Sequence, residues 1–220
     1  MDRFPQPKGV RGSLRWIQHF VNEDPGSLQT AIGIGPIHWC SPLASDAYSE
    51  YRDGAVLDLL GVKLSKRSLP SFWPARGPQW DALGRAASGE VILVEAKAHV
   101  EEILSPSTKA SEHSLRRIRA SLAETAAGMR TVPGAVDWSQ KFYQYTNRLA
   151  HIYLFRKLND IPALLVFLYF IGDREMNGPA SCREWEAAVA VLHEALGLRG
   201  RMPSYVRDVF VEVPESQLVR

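Results

Sequence analysis

The stretch Val91-Ile92-Leu93-Val94-Glu95-Ala96-Lys97-Ala98-His99 decides how the rest of the chain is read. Val91 to Val94 is apolar on both alternating faces, the pattern of a central strand covered on both sides. A carboxylate and an ammonium then interrupt it, two positions apart. Alternate residues of a strand share a face, so Glu95 and Lys97 point the same way as Val91 and Leu93. An unpaired charge there costs several kcal/mol, and an opposed charge or a metal ion removes most of that cost.

Just upstream, residues 80–86 (WDALGRA) read as a strand, and Ala87-Ser88-Gly89 as the turn of a hairpin. A three-residue turn sets Asp81 opposite Glu95. A two-residue Ser88-Gly89 turn sets Asp81 opposite Ala96 on the other face, and a convergent site then needs a bulge. Two carboxylates from adjacent strands make a hard oxygen site suited to Mg²⁺ or Mn²⁺, and nothing about it suits zinc. A neighbouring lysine orients or helps deprotonate a water and offsets charge on a phosphate. Phosphodiester hydrolysis needs those roles together.

Outward from the hairpin, strands and helices mix. Leu14, Ile17 and Val21 give a leading helix over residues 13–24, ended by Pro25-Gly26, and residues 45–61 read as a capped helix with Tyr48, Tyr51, Ala55 and Leu59 on one stripe, stopped by Gly61. FWPARGPQW and SPSTKAS are loops. A helix follows the second loop with Leu115, Ile118 and Leu122 inward, and Pro133-Gly134 breaks the chain. Residues 139–158 form a patterned helix with Phe142, Tyr145, Leu149, Ile152 and Phe155 on its stripe. ALLVFLYFI is a buried strand, CREWEAAVAVLHEALGL a helix closed by Gly197, and VRDVFVEV a last strand. A hairpin followed by crossovers predicts an α/β fold, a mixed sheet flanked by helices, in one domain over residues 1–220.

Composition sets the bounds. At 45% hydrophobic and 23% charged the chain is an ordinary globular one, and a formal charge of +2 places any basic surface locally. Cys40 and Cys182 lack disulfide or zinc spacing and fit buried thiols in a reducing compartment. The N-terminus lacks the apolar run of a signal peptide, and IPALLVFLYFI is about half a membrane span. These features predict a soluble cytoplasmic protein with no membrane partner.

Asp81, followed fourteen residues on by Glu95-Ala96-Lys97 at the end of an apolar strand, resembles the PD-(D/E)XK nuclease superfamily, the restriction-endonuclease-like fold. Gln79-Trp80-Asp81 lacks the proline of the name, and the likeness spans roughly residues 45–172. The resemblance implies Asp81, Glu95 and the Ala96 carbonyl as ligands of Mg²⁺ or Mn²⁺, with Lys97 as the catalytic lysine. It implies a further acid on the preceding helix, Glu50 ahead of Asp46 and Asp53, and a catalytic glutamine near the lysine, Gln144, with Asn147 and His151 on the same side. The implied activity is hydrolysis of DNA by a metal-activated water, leaving a 5′-phosphate, and many such proteins cut duplexes as homodimers.

Plainer readings compete. Glu95 and Lys97 could be the solvated face of an edge strand, Asp81 a turn residue, and His151 a packed helix residue, which is how it is read here. Lys109, Arg116, Arg117 and Arg119 form the densest basic patch, a nucleic-acid contact or a solvated helix face. Trp73, Trp80 and Trp138 are expected in the core. Two rival functions remain: a catalytically silent module of the same fold binding nucleic acid or protein, and a phosphoesterase acting on a small nucleotide in a closed pocket.

Overall fold

The structure, a computed structural model, describes residues 2–132, 136–198 and 202–214. Pro133 and Gly134, read above as a chain break, lie outside the described residues. The elements are β1 (Arg3–Phe4), α1 (Gly12–Asn22), α2 (Pro25–Ile32), β2 (Ile37–Ser41), β3 (Glu50–Tyr51), α3 (Asp53–Leu59), α4 (Leu69–Phe72), β4 (Ala82–Ala86), β5 (Val91–Lys97), α5 (Glu112–Gly128), α6 (Tyr143–Tyr153), β6 (Ala163–Ile171), α7 (Cys182–Leu196) and β7 (Val206–Glu212). Five strands form one mixed sheet in the order β2-β4-β5-β6-β7, antiparallel up to β5 and parallel from β5 to β7. The predicted α/β class and mixed sheet are present, and the sheet reaches beyond residues 45–172 at both ends.

The motif strand lies at the centre of this sheet, hydrogen-bonded to β4 on one side and β6 on the other. That placement explains the apolar run. Val91 and Leu93 pack with residues of α5, α6 and α7, whereas Ile92, Val94 and Ala96 face Trp16, Phe20 and Leu28 of α1 and α2. All nine residues of β6 are buried, as a strand covered on both faces requires. Trp73, Trp80 and Trp138 are core residues as expected. Among the described residues no helix is long and apolar enough to cross a membrane.

The β4–β5 hairpin has the register of the three-residue turn: Ala82 pairs with Val94, Leu83 with Leu93, Gly84 with Ile92 and Arg85 with Val91. Extended one step, that register sets Asp81 against Glu95 without a bulge.

Several local expectations are corrected. Residues 45–61 are not one helix. Ala47, Tyr48 and Asp53 have left-handed backbones, and Asp46 accepts from Arg3 and Tyr51 while Ser49 Oγ bonds the Asp46 carbonyl. Short polar side chains have bonded locally in place of a helix ladder, so only Asp53–Leu59 is α-helical, after a 3-10 turn at Ala44–Asp46, and Glu50 sits on a strand. Of the proposed stripe, Tyr51 alone is fully buried. Pro25-Gly26 opens α2 instead of merely ending α1, because Asp24 caps the new helix through Ser27 N–H and proline is tolerated in a first turn. The helix expected over residues 139–158 begins at Tyr143, after a left-handed Phe142, and its last turn, Leu154–Leu158, is π-helical. Its apolar stripe is buried as read. Cys40 and Cys182 are free thiols, but half-buried.

Candidate active site

Asp81 occupies a junction in the chain. Trp80 on one side of it bonds to Tyr51 of β3 and Ala82 on the other enters the main sheet, so the backbone turns from one sheet to the other at that residue. This junction brings Glu50, the neighbour of Tyr51, to the same place. The Asp81 carboxylate reaches across to β5 and accepts the Ala96 N–H at 2.7 Å. Glu50, Asp81, Glu95, Ala96, Lys97, Gln144, Asn147 and Arg148 together line a cleft of about 1060 Å³ at the C-terminal end of β5. Ligand clefts in open α/β sheets form at such strand ends.

Glu95 is almost wholly buried and fully engaged. One oxygen, Oε1, accepts from Lys97 Nζ at 2.5 Å, and the other, Oε2, accepts from Arg148 Nε at 2.7 Å and pairs with Nη2 at 2.5 Å. The Lys97 ammonium also reaches Gln144 Oε1 at 3.3 Å, so the glutamine implied by the resemblance does stand beside the lysine. The edge-strand reading of Glu95 and Lys97 is thereby replaced: these charges are inside the molecule and satisfied there.

Arg148 was missed in the sequence. It is a buried cation on α6 that engages all three of its side-chain nitrogens: Nη1 on Asn147 Oδ1 at 2.8 Å, Nη2 on the Gln79 carbonyl at 2.6 Å, and Nε and Nη2 on Glu95, with its guanidinium 4.9 Å over the Trp80 ring. The Gln79 side chain in turn donates to Glu50 Oε2 at 2.5 Å, and Gln6 donates to the same oxygen at 3.3 Å. Arg148 thus ties α6, the motif strand and the segment before Asp81 into one network. Two clues were available in the sequence: a buried Glu95 needs more neutralisation than one lysine gives, and Arg148 follows Gln144 by one helical turn. Glu102 was missed as well. It accepts from Ala98 N–H at 2.5 Å and from Ser13 Oγ at 2.8 Å, which fixes the chain leaving the motif strand to α1.

Protonation follows from this packing. Burial, and then the negative charge of Glu95, hold the Asp81 carboxyl well above the usual carboxylate range. Burial alone would do the same to Glu95, but Arg148 and Lys97 outweigh it and hold that carboxyl low. Burial raises Glu50, against the hydrogen bond from Gln79. Lys97 is opposed by burial, yet Glu95 and Asp81 together raise it. His151 is buried against Trp73 and Trp80, and burial lowers its pKa to about 3, so it is a neutral packing residue that accepts no role in the cleft.

Asp81 and Glu95 supply two carboxylates, the donor type of a divalent cation that takes one or two of them and keeps several waters, and both Glu95 oxygens are taken by Lys97 and Arg148. They do not form a closed cage: among the described residues no three acidic, histidine or cysteine side chains are grouped tightly enough to hold an ion by themselves. Asp46 and Asp53 are excluded from the site, the first by Arg3 and Tyr51, the second because it accepts the N–H groups of Arg76 and Gly77.

The basic patch is divided. Lys109 lines the cleft. Arg116, Arg117 and Arg119 do not line it; they engage Glu112, the Pro70 carbonyl, and Asp137 with Ser139, respectively. Comparison of the chain with family models, with characterised proteins and with solved structures finds no match, so the reading of the site rests on its own residues.

Proposed function

We propose that this chain is a metal-dependent nuclease of restriction-endonuclease-like fold that hydrolyses DNA phosphodiester bonds. The observation that carries the reading is the convergence of Asp81, Glu95, Lys97 and Gln144 on one cleft at the end of a central strand. Asp81 and Glu95 would hold Mg²⁺ or Mn²⁺, with the Ala96 carbonyl and Glu50 as further oxygen donors. When bound, the ion supplies Lewis-acid polarisation of the phosphate and a water of lowered pKa. Lys97, held between Glu95 and Gln144, is placed to donate to a phosphate oxygen and offset the charge that develops on it. Gln144 keeps that ammonium oriented. Arg148 keeps Glu95 anionic and fixed in position. A cytoplasmic setting and assembly as a homodimer on duplex DNA belong to the same proposal.

A second reading has an observation in its favour. Both oxygens of Glu95 are already taken by cations of the chain itself, which suits a module of this fold that binds nucleic acid or a protein without turnover. Incubation with Mg²⁺ or Mn²⁺ and a panel of single-stranded, duplex and branched DNA separates the two. The nuclease reading expects products with 5′-phosphates, lost in Asp81→Asn, Glu95→Gln and Lys97→Met. An intact panel in both metals sinks that reading and leaves the binding module.

A further inference from the structure

Four cations line the cleft, and the chain uses them unequally. Lys97 and Arg148 are consumed by Glu95. Arg76 and Lys109 are exposed, sit on two separate loops of the cleft wall, and meet no carboxylate among the described residues. Inside them lie the acids Glu50, Asp81, Glu95 and Glu102. A cleft with acids within and free cations outside repels a simple polyanion from its floor and holds one by its flanks.

The loop that carries Arg76 is built to keep its shape. Arg76 has a left-handed backbone, φ 67°, which an L residue adopts at a cost and keeps only when its surroundings impose it. The Asp53 carboxylate imposes it, accepting the N–H groups of Arg76 and Gly77 at 2.8 Å each. A side chain at residue 77 would put its Cβ 2.7 Å from Asp53 Oδ1 and 3.2 Å from His151 Nε2, so only glycine fits beneath the arginine. The second loop is tied at two points just before Lys109. Thr108 N–H bonds the Ser139 carbonyl at 3.2 Å, and Ser105 Oγ accepts the Gln144 N–H at 2.8 Å. The latter bond joins this loop to the helix that presents Gln144 to Lys97.

We propose that Arg76 and Lys109 are a phosphate clamp, gripping the sugar-phosphate backbone of a nucleic-acid strand that runs through the cleft, in place of the arginines of α5. The clamp rests on the nuclease reading for the phosphodiester at the floor, but its grip does not require hydrolysis. Each contact neutralises one phosphate and releases its counterions.

The test is fluorescence anisotropy of the full chain with a short labelled DNA oligonucleotide, single-stranded and duplex, in EDTA across a salt series. Arg76→Gln and Lys109→Gln are each expected to weaken binding severalfold and to reduce the slope of log affinity against log salt by about one; the double variant should lose about two. The triple variant Arg116→Gln, Arg117→Gln, Arg119→Gln should bind as the wild type does. Thermal melts, expected to be unchanged at these exposed positions, exclude misfolding. A double variant with wild-type affinity and slope overturns the clamp, as does a loss confined to the triple variant or a wild-type chain that binds neither DNA. Because no divalent ion is present, the outcome is independent of cleavage. Binding that follows this pattern, together with an intact DNA panel in both Mg²⁺ and Mn²⁺, would defeat the nuclease reading and leave the clamp standing.

Discussion

Replacing Arg148 by methionine removes a buried guanidinium whose side chain is 5% exposed, and leaves Glu95, 3% exposed, with Lys97 as its one remaining partner. Breaking a buried ion pair from one side costs about 3–5 kcal/mol, because the charge left behind has lost both water and its partner. The acceptors Asn147 Oδ1 and the Gln79 carbonyl lose a donor in the same step, so the upper half of that range is expected. The loss depends on Glu95 being charged. In a Glu95→Gln background the same Arg148→Met change should cost only about 1–2 kcal/mol, a coupling of about 2–4 kcal/mol between the two positions. Urea denaturation of the four proteins of this double-mutant cycle measures it, provided that m-values stay equal. Equal costs in both backgrounds would refute the claim that Arg148 acts through Glu95, and would reduce it to a packing residue on Trp80.

The remaining predictions concern stability and the cleft wall. His151 has a folded pKa of about 3 against about 6.5 when unfolded, so only the unfolded chain takes up its proton as pH falls. Its contribution is complete above pH 6.5 and lost below it. The stability difference between wild type and His151→Gln should therefore shrink by about 1.4 kcal/mol for each pH unit between 6 and 4, measured by urea titration; a difference that ignores pH contradicts the assignment. The comparison with the variant is needed because Asp208, pushed up to about 6 by burial, favours the folded state at low pH and masks the effect in the wild type alone. Gly77→Ala should destabilise by about 1–3 kcal/mol through the clash with Asp53, visible as a lowered melting temperature, and a neutral substitution would show the loop to be compliant. Asp53→Asn retains the carbonyl oxygen but gives up the paired acceptors of residues 76 and 77, so it should weaken oligonucleotide binding in the same direction as Arg76→Gln while leaving Arg76 in place. Unchanged binding would mean that the backbone at Arg76 needs no support.

Much of the site could be read along the chain because strand geometry is periodic and local. The apolar run from Val91 marked a central strand, and the spacing across Ala87-Ser88-Gly89 left two registers, of which the structure has the one that pairs Ala82 with Val94. Gln144, singled out through the resemblance, stands beside Lys97. What was misplaced or missed depends on contacts distant in sequence. Glu50 reaches the cleft from a two-residue strand paired with Arg3 and Phe4, and no periodicity marks a strand that short. Arg148 sits on a helix where an arginine ordinarily means a solvated face, and its burial is dictated by a carboxylate 53 residues away. The clustered arginines of α5 and Lys109 drew notice by their density, whereas Arg76, which lines the cleft with Lys109, stands alone in its loop.

Whether Asp81 and Glu95 share a divalent cation is decided by isothermal titration of Mn²⁺ or Mg²⁺ into the wild-type chain and into Asp81→Ala and Glu95→Ala. The wild type is expected to bind the ion and each substitution to abolish binding, with all three proteins folded by circular dichroism. Equal heats from the three, or none from the wild type with DNA present, would contradict it.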